Sequence, residues 1–134
     1  MQTSRFLRPL AGAAIVFGAL TVFSGGRALF GGPDAAAAVG NAVPFVLWFN
    51  FLAGFVYVMT GVGLWQRRPW SFWAAVLLVV ATGVVAIALA VHVQGGAAYE
   101  PRTVGAMGIR LVFWLVVAVT AGGVIRRTAP PGTP

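Results

Sequence analysis

The chain has no cysteine, no lysine, two acidic residues (Asp34 and Glu100) and one histidine, His92. Without cysteine there is no disulfide, thiol nucleophile, thiolate metal site or iron–sulfur cluster. A haem held between helices usually takes two axial ligands, and one histidine does not supply them. His92 has no partner at a His-x-x-x-His spacing to make a metal pair. Charged residues make up 8% of 134, against about 25% in an ordinary soluble domain. That is too little charge to cover the outside of a water-soluble fold. Paired carboxylates, a nucleophile–base motif and a Gly-rich phosphate loop are also missing; Gly105 and Gly108 stand in helical surroundings. The halves show no internal repeat, which removes the sequence signature of an inverted-repeat transporter.

What is abundant is apolar sequence: 60% of residues are hydrophobic, and they run in long blocks. A membrane-crossing helix needs about 20 mostly apolar residues. Four blocks meet that length, at about 6–27, 43–65, 70–93 and 103–125, and none carries an acid or a lysine in its middle. Backbone in lipid has to pair its own polar groups, so each block is expected to be a helix. Pro44 and Pro101 stand near the starts of the second and fourth blocks, where a missing N–H costs nothing. Pro69 marks the tight link between the second and third, and Gly95-Gly96 ends the third. The expected fold is all-α: an integral membrane four-helix bundle forming one domain over residues 1–127. Residues 128–134 are expected to form a disordered tail.

The net charge is +7, and all nine basic residues are arginine. They sit at block edges rather than in a basic stripe with interleaved aromatics, so a nucleic-acid partner is not expected. Arg5, Arg8, Arg67, Arg68, Arg126 and Arg127 would share one side of the membrane, and Arg27 and Arg102 the other. The Arg-rich side is normally cytoplasmic, which places both termini inside. A cleaved signal peptide is the rival reading of the first block. The junction Phe23-Ser-Gly-Gly-Arg27 is a poor cleavage site, so a retained span is expected.

Ionisable and amide groups within or beside a span are costly and mark candidate sites. Arg110 lies about 12 Å along the fourth helix from Arg102, and Arg102, Ala106 and Arg110 share one face. Asn50, Gly54, Tyr57 and Gly61 share a face of the second helix. The candidate ligand-binding cluster is Asn50, His92, Glu100, Arg102 and Arg110. Two other readings of Arg110 stay open: snorkelling to the headgroups and neutralising Glu100. No catalytic residue and no metal site is assigned.

The first span, Arg8-Pro-Leu-Ala-Gly with Gly18 and Ser24-Gly25-Gly26, and the second, ending Thr60-Gly-Val-Gly-Leu-Trp-Gln-Arg-Arg68, resemble the DoxX-like group of small four-helix bacterial membrane proteins. The resemblance implies a bacterial inner-membrane location. It also implies either an accessory role beside redox enzymes or quinone-linked oxidation, with quinone as the cofactor. Members often carry an acidic residue in the second span, where this chain has Asn50. The leading expectation is a non-catalytic accessory or structural subunit, in contact with lipid and with a membrane-protein partner or further copies of itself. The alternatives are a small transporter or binding protein for an anionic or amphipathic molecule, and a quinone-linked redox protein.

Overall fold

The computed structural model describes the backbone of residues 2–38, 40 and 43–128, and the side chains of 5–38, 40 and 43–124. Five helices follow one another: α1 Gln2–Phe30, α2 Pro33–Ala38, α3 Pro44–Trp65, α4 Pro69–Gln94 and α5 Pro101–Thr128. Four of them begin on proline, whose fixed φ suits the first helical turn and whose absent N–H would be unpaired there anyway. The short α2, between the first two long helices, corresponds to no expected span; six residues are too few to show a hydrophobic period. The expected tail lies outside the described residues except for Thr128, which closes α5.

Two links reverse the chain by the same device. After α3, the Arg68 N–H bonds to the Gly63 carbonyl at 2.8 Å and the Arg67 N–H to that of Leu64 at 3.0 Å. After α4, the Ala97 and Gly96 N–H groups bond to the His92 and Val93 carbonyls at 3.4 and 3.1 Å. Both are Schellman caps, which need one left-handed residue. Gly96 supplies it at φ 81° and Arg67 at φ 55°, an uncommon conformation for a side chain of that size.

The four long helices form a closed ring of neighbours. The α1–α3 seam is the most extensive; α4 lies along α5, and α3 with α4 and α1 with α5 complete the ring. Small residues make the α1–α3 seam close. Ala11, Ala14, Gly18, Thr21 and Gly25 recur every three or four residues and are all buried. A Cβ on Gly18 would come 2.7 Å from the Gly54 carbonyl oxygen, and one on Gly61 would come 2.9 Å from that of Ala11.

The four candidate spans hold 22 to 26 residues, about 33–39 Å of helix against a hydrocarbon core of about 30 Å. Only 22–33% of each apolar window is buried inside the bundle. The remainder faces outward and is itself apolar: Leu20, Phe23, Leu52, Phe55, Leu77, Ile87, Ile109, Val112 and Val119 are all exposed. These are four helices long and apolar enough to cross a bilayer, with an exterior suited to lipid.

The two ends differ sharply. Arg8 stacks 5.4 Å over the Trp65 ring, which joins the start of α1 to the α3–α4 turn. Six arginines and no acid belong to this end by chain direction, with Trp65, Trp70 and Trp73 exposed around it. At the opposite end, Arg27 and Arg102 are matched in number by Asp34 and Glu100.

The interior is split in two. The larger apolar cluster, nearer the Arg-rich end, includes Leu7, Ala14, Tyr57, Leu64, Leu78, Trp114 and Val117. The smaller one, nearer the opposite end, is Val43, Val46, Leu89 and Met107. On three helices a polar residue falls between the two clusters in sequence: Asn50 on α3, Thr82 on α4 and Arg110 on α5.

A polar layer inside the bundle as the candidate functional site

The five residues singled out from the sequence fall into a rim and an interior pair. Arg102 and Glu100 meet the chain between α2 and α3: Arg102 donates to the Ala38 carbonyl at 3.1 Å, and the Glu100 carboxylate lies against Gly40. Gly40 has φ 62°, and a Cβ there would collide with the carboxylate, so glycine is required twice over. His92, half-buried at the end of α4, meets the Phe45 ring edge-on at 5.8 Å. These three residues tie the links and helix ends together.

Asn50 and Arg110 lie deeper. Asn50 lines a cavity of about 40 Å³ with Val43, Val46, Leu47 and Thr103, and its Oδ1 is buried without a hydrogen-bond partner. Arg110 lays its guanidinium 4.9 Å over the Phe17 ring of α1, and its Nε is likewise buried and unpartnered. The contact is a cation–π interaction, worth about 2 kcal/mol or more where the charge is desolvated. Arg110 therefore meets an aromatic face rather than the Asn50 oxygen, and Glu100 stays at the rim.

Around Arg110 stands a set of groups absent from the five. The fully buried Tyr57 ring packs at 4.9 Å from Trp114 and 5.4 Å from Phe17. Phe113 closes against Phe17 at 5.5 Å and Trp114 at 5.1 Å. The Thr82 hydroxyl and the Trp114 N–H lie beside the Tyr57 hydroxyl, and the Arg110 charge is close enough to act on it. Tyr57 Oη, Thr82 Oγ1 and Trp114 Nε1 are all buried and within reach of one another, with no bond of good geometry closed. One spacing in the sequence pointed to Trp114. The series Arg102, Ala106, Arg110 extends by one more helical step to it.

No family profile, curated protein or solved structure matches this chain. Among the described residues no three His, Asp or Glu side chains gather to hold a metal ion. The layer is rich in N–H and O–H donors, carries a cation, and contains no carboxylate.

Proposed function

We propose that the chain is a non-catalytic accessory subunit of a bacterial inner-membrane complex, with both termini cytoplasmic and the outer surface of α5 as its docking face. The observation that carries this reading is how the glycines are used. Gly18, Gly54 and Gly61 are consumed inside the α1–α3 seam, and Gly122 is filled by Phe72. Gly105 and Gly108 are exposed, and a Cβ on either would meet nothing within 4 Å. They line an open groove of about 550 Å³ with Ile109, Val112 and Phe113. A glycine facing lipid loses side-chain contact and helix propensity for no gain; one facing another helix permits close approach. The resemblance to the DoxX-like group supports the same reading, since accessory roles beside redox enzymes are implied there.

The cysteine-free chain permits a direct test. A single Gly108→Cys substitution should cross-link in native membranes to a neighbouring protein at a defined mass. Ile87→Cys, 68% exposed on α4, should give little. Equal labelling from the two positions, or none from either, would remove the docking face.

The orientation rests on the split of arginines between the ends, under the rule that cytoplasmic loops carry the basic residues. Reporter fusions at Gly32 and Gly96 are expected to read as periplasmic, and one after Gln66 as cytoplasmic. A cytoplasmic signal from Gly32 would invert the assignment.

A further inference from the structure

We propose that the arginines gathered where the start of α1 meets the α3–α4 turn, Arg8, Arg67 and Arg68, hold the headgroup phosphate of an anionic phospholipid, one acyl chain of which lies in the groove between α1 and α3. This goes beyond the accessory reading and is independent of the α5 docking face.

The positive charge at this end has no counter-charge within the chain. Arg5, Arg8, Arg67 and Arg68 are all exposed, and α5 brings Arg126 and Arg127 to the same end. The two acids, Asp34 and Glu100, belong to the other end. The groups that meet these guanidiniums are neutral: Arg8 lies 5.4 Å over the Trp65 ring, and Arg68 Nε donates to Gln66 Oε1 at 3.5 Å. Neither contact supplies negative charge. A guanidinium fork matches the paired oxygens of a phosphate. A zwitterionic headgroup brings its own cation into a cluster of like charge, whereas an anionic one brings none. The cluster therefore favours a phospholipid of net negative charge.

Arg67 adds an observation that does not depend on charge. It fills the left-handed position of the α3 cap at φ 55°, where glycine is the usual residue and where Gly96 stands in the matching cap after α4. A large side chain kept at a strained backbone position points to a use for that side chain. The turn sets Arg67 and Arg68 two and three residues beyond the ring on which Arg8 lies.

The apolar surface below the cluster selects a lipid over a free phosphate or an acidic peptide. An open groove of about 510 Å³ runs along the outer side of the α1–α3 seam, lined by Ala19, Val22, Phe23, Phe55, Val58 and Met59. It shares its helix faces with the cluster. Arg8, Ile15, Ala19 and Val22 stand on one face of α1, and Trp65, Val62, Val58 and Phe55 on one face of α3. The groove lies about 9–15 Å along α3 from Trp65, and the exposed Val62 spans the interval. Trp65, Trp70 and Trp73 are exposed and mark the headgroup level. One leaflet of the hydrocarbon core is about 15 Å deep, so a chain hanging from that level runs the length of the groove.

The test uses the full chain purified in neutral detergent with equimolar phosphatidylglycerol and phosphatidylcholine of the same acyl chains. Retained lipid is counted by native mass spectrometry. Phosphatidylglycerol should be retained in preference. An arginine beside an anionic headgroup is worth about a factor of five, so Arg8→Gln, Arg67→Gly and Arg68→Gln should each lower the ratio of the two lipids about fivefold. Arg27→Gln, exposed at the opposite end, should leave the ratio unchanged. In phosphatidylcholine alone, Arg67→Gly should melt at or above the wild-type temperature, because glycine relieves the left-handed turn. Its lost preference is then not a lost fold. Inorganic phosphate should displace no more lipid than sodium chloride of the same ionic strength; greater displacement would make a free phosphate the ligand and overturn the proposal. Equal retention of the two lipids by the wild type would overturn it as well, and leave the cluster to an acidic protein segment. A ratio that falls as far in Arg27→Gln as in Arg8→Gln would also overturn it, by showing a response to net charge alone.

Discussion

Gly18→Ala should destabilise the bundle far more than its single added methyl suggests. The new Cβ would sit 2.7 Å from the Gly54 carbonyl oxygen, 2.7 Å from Val58 Cγ2 and 2.9 Å from Tyr57 Cβ. Two of those three atoms cannot swing away, because one is backbone and one is bound directly to it. The helices must part, and the contacts from Ala11 to Gly25 loosen with them. Overpacking of this kind costs about 1–3 kcal/mol. Gly61→Ala should behave alike, against Ile15 and the Ala11 carbonyl. Gly83 is the control: it is helical, with nothing within 4 Å of its would-be Cβ. Gly83→Ala should be neutral or stabilising, by up to about 1 kcal/mol of helix propensity. Thermal unfolding in detergent, followed by circular dichroism, compares the three. If Gly18→Ala melts with Gly83→Ala, the α1–α3 seam is not as close as described.

The four long helices were legible because lipid-length apolar blocks admit few structures. A run such as Trp70–Val93 is too long for a strand, and its ends are marked by Pro69 and Gly95-Gly96. What hydropathy could not supply was which face turned inward. In a bundle surrounded by lipid both faces are apolar, so the amphipathic signal that orients a soluble helix is weak. Glycines carried that information only in part. Gly54, Gly61, Gly105, Gly122 and Gly123 are alike in the sequence, each a small residue in an apolar span where another helix could come close. In the fold three of them serve the bundle itself, while Gly105 lies open and Gly123 has nothing within 4 Å of its would-be Cβ.

The candidate site was half legible. Asn50 and Arg110 stood out as polar residues in apolar spans, and both belong to the inner layer. His92, Glu100 and Arg102 stood out for the same reason, yet Glu100 and Arg102 meet the α2–α3 link, which no span boundary revealed. Tyr57 already stood on one face with Asn50 in the sequence, whereas Trp114 was hard to see because its apolar part fits any membrane helix. Their polar atoms matter only once three helices bring them together.

Trp114 offers the other large effect, and it separates packing from polarity. It is the largest of the fully buried side chains and meets Tyr57 and Phe113 at 4.9 and 5.1 Å. In a soluble core, Trp→Ala costs about 3–5 kcal/mol, partly for transfer out of water and partly for the cavity. Here the outside of the bundle is as apolar as the inside, so the transfer share largely disappears and the packing share remains. Trp114→Ala should therefore cost about 2–3 kcal/mol, towards or below the bottom of the soluble range. Trp114→Phe keeps an aromatic ring between Tyr57 and Phe113 and removes an N–H that has no protein partner. It should cost under about 1.5 kcal/mol, as shape-conserving swaps do. Unfolding in a denaturing detergent gives both values. A Phe variant as unstable as the Ala variant would mean that the indole N–H is bonded within the protein, and that the donors around Tyr57 already satisfy one another.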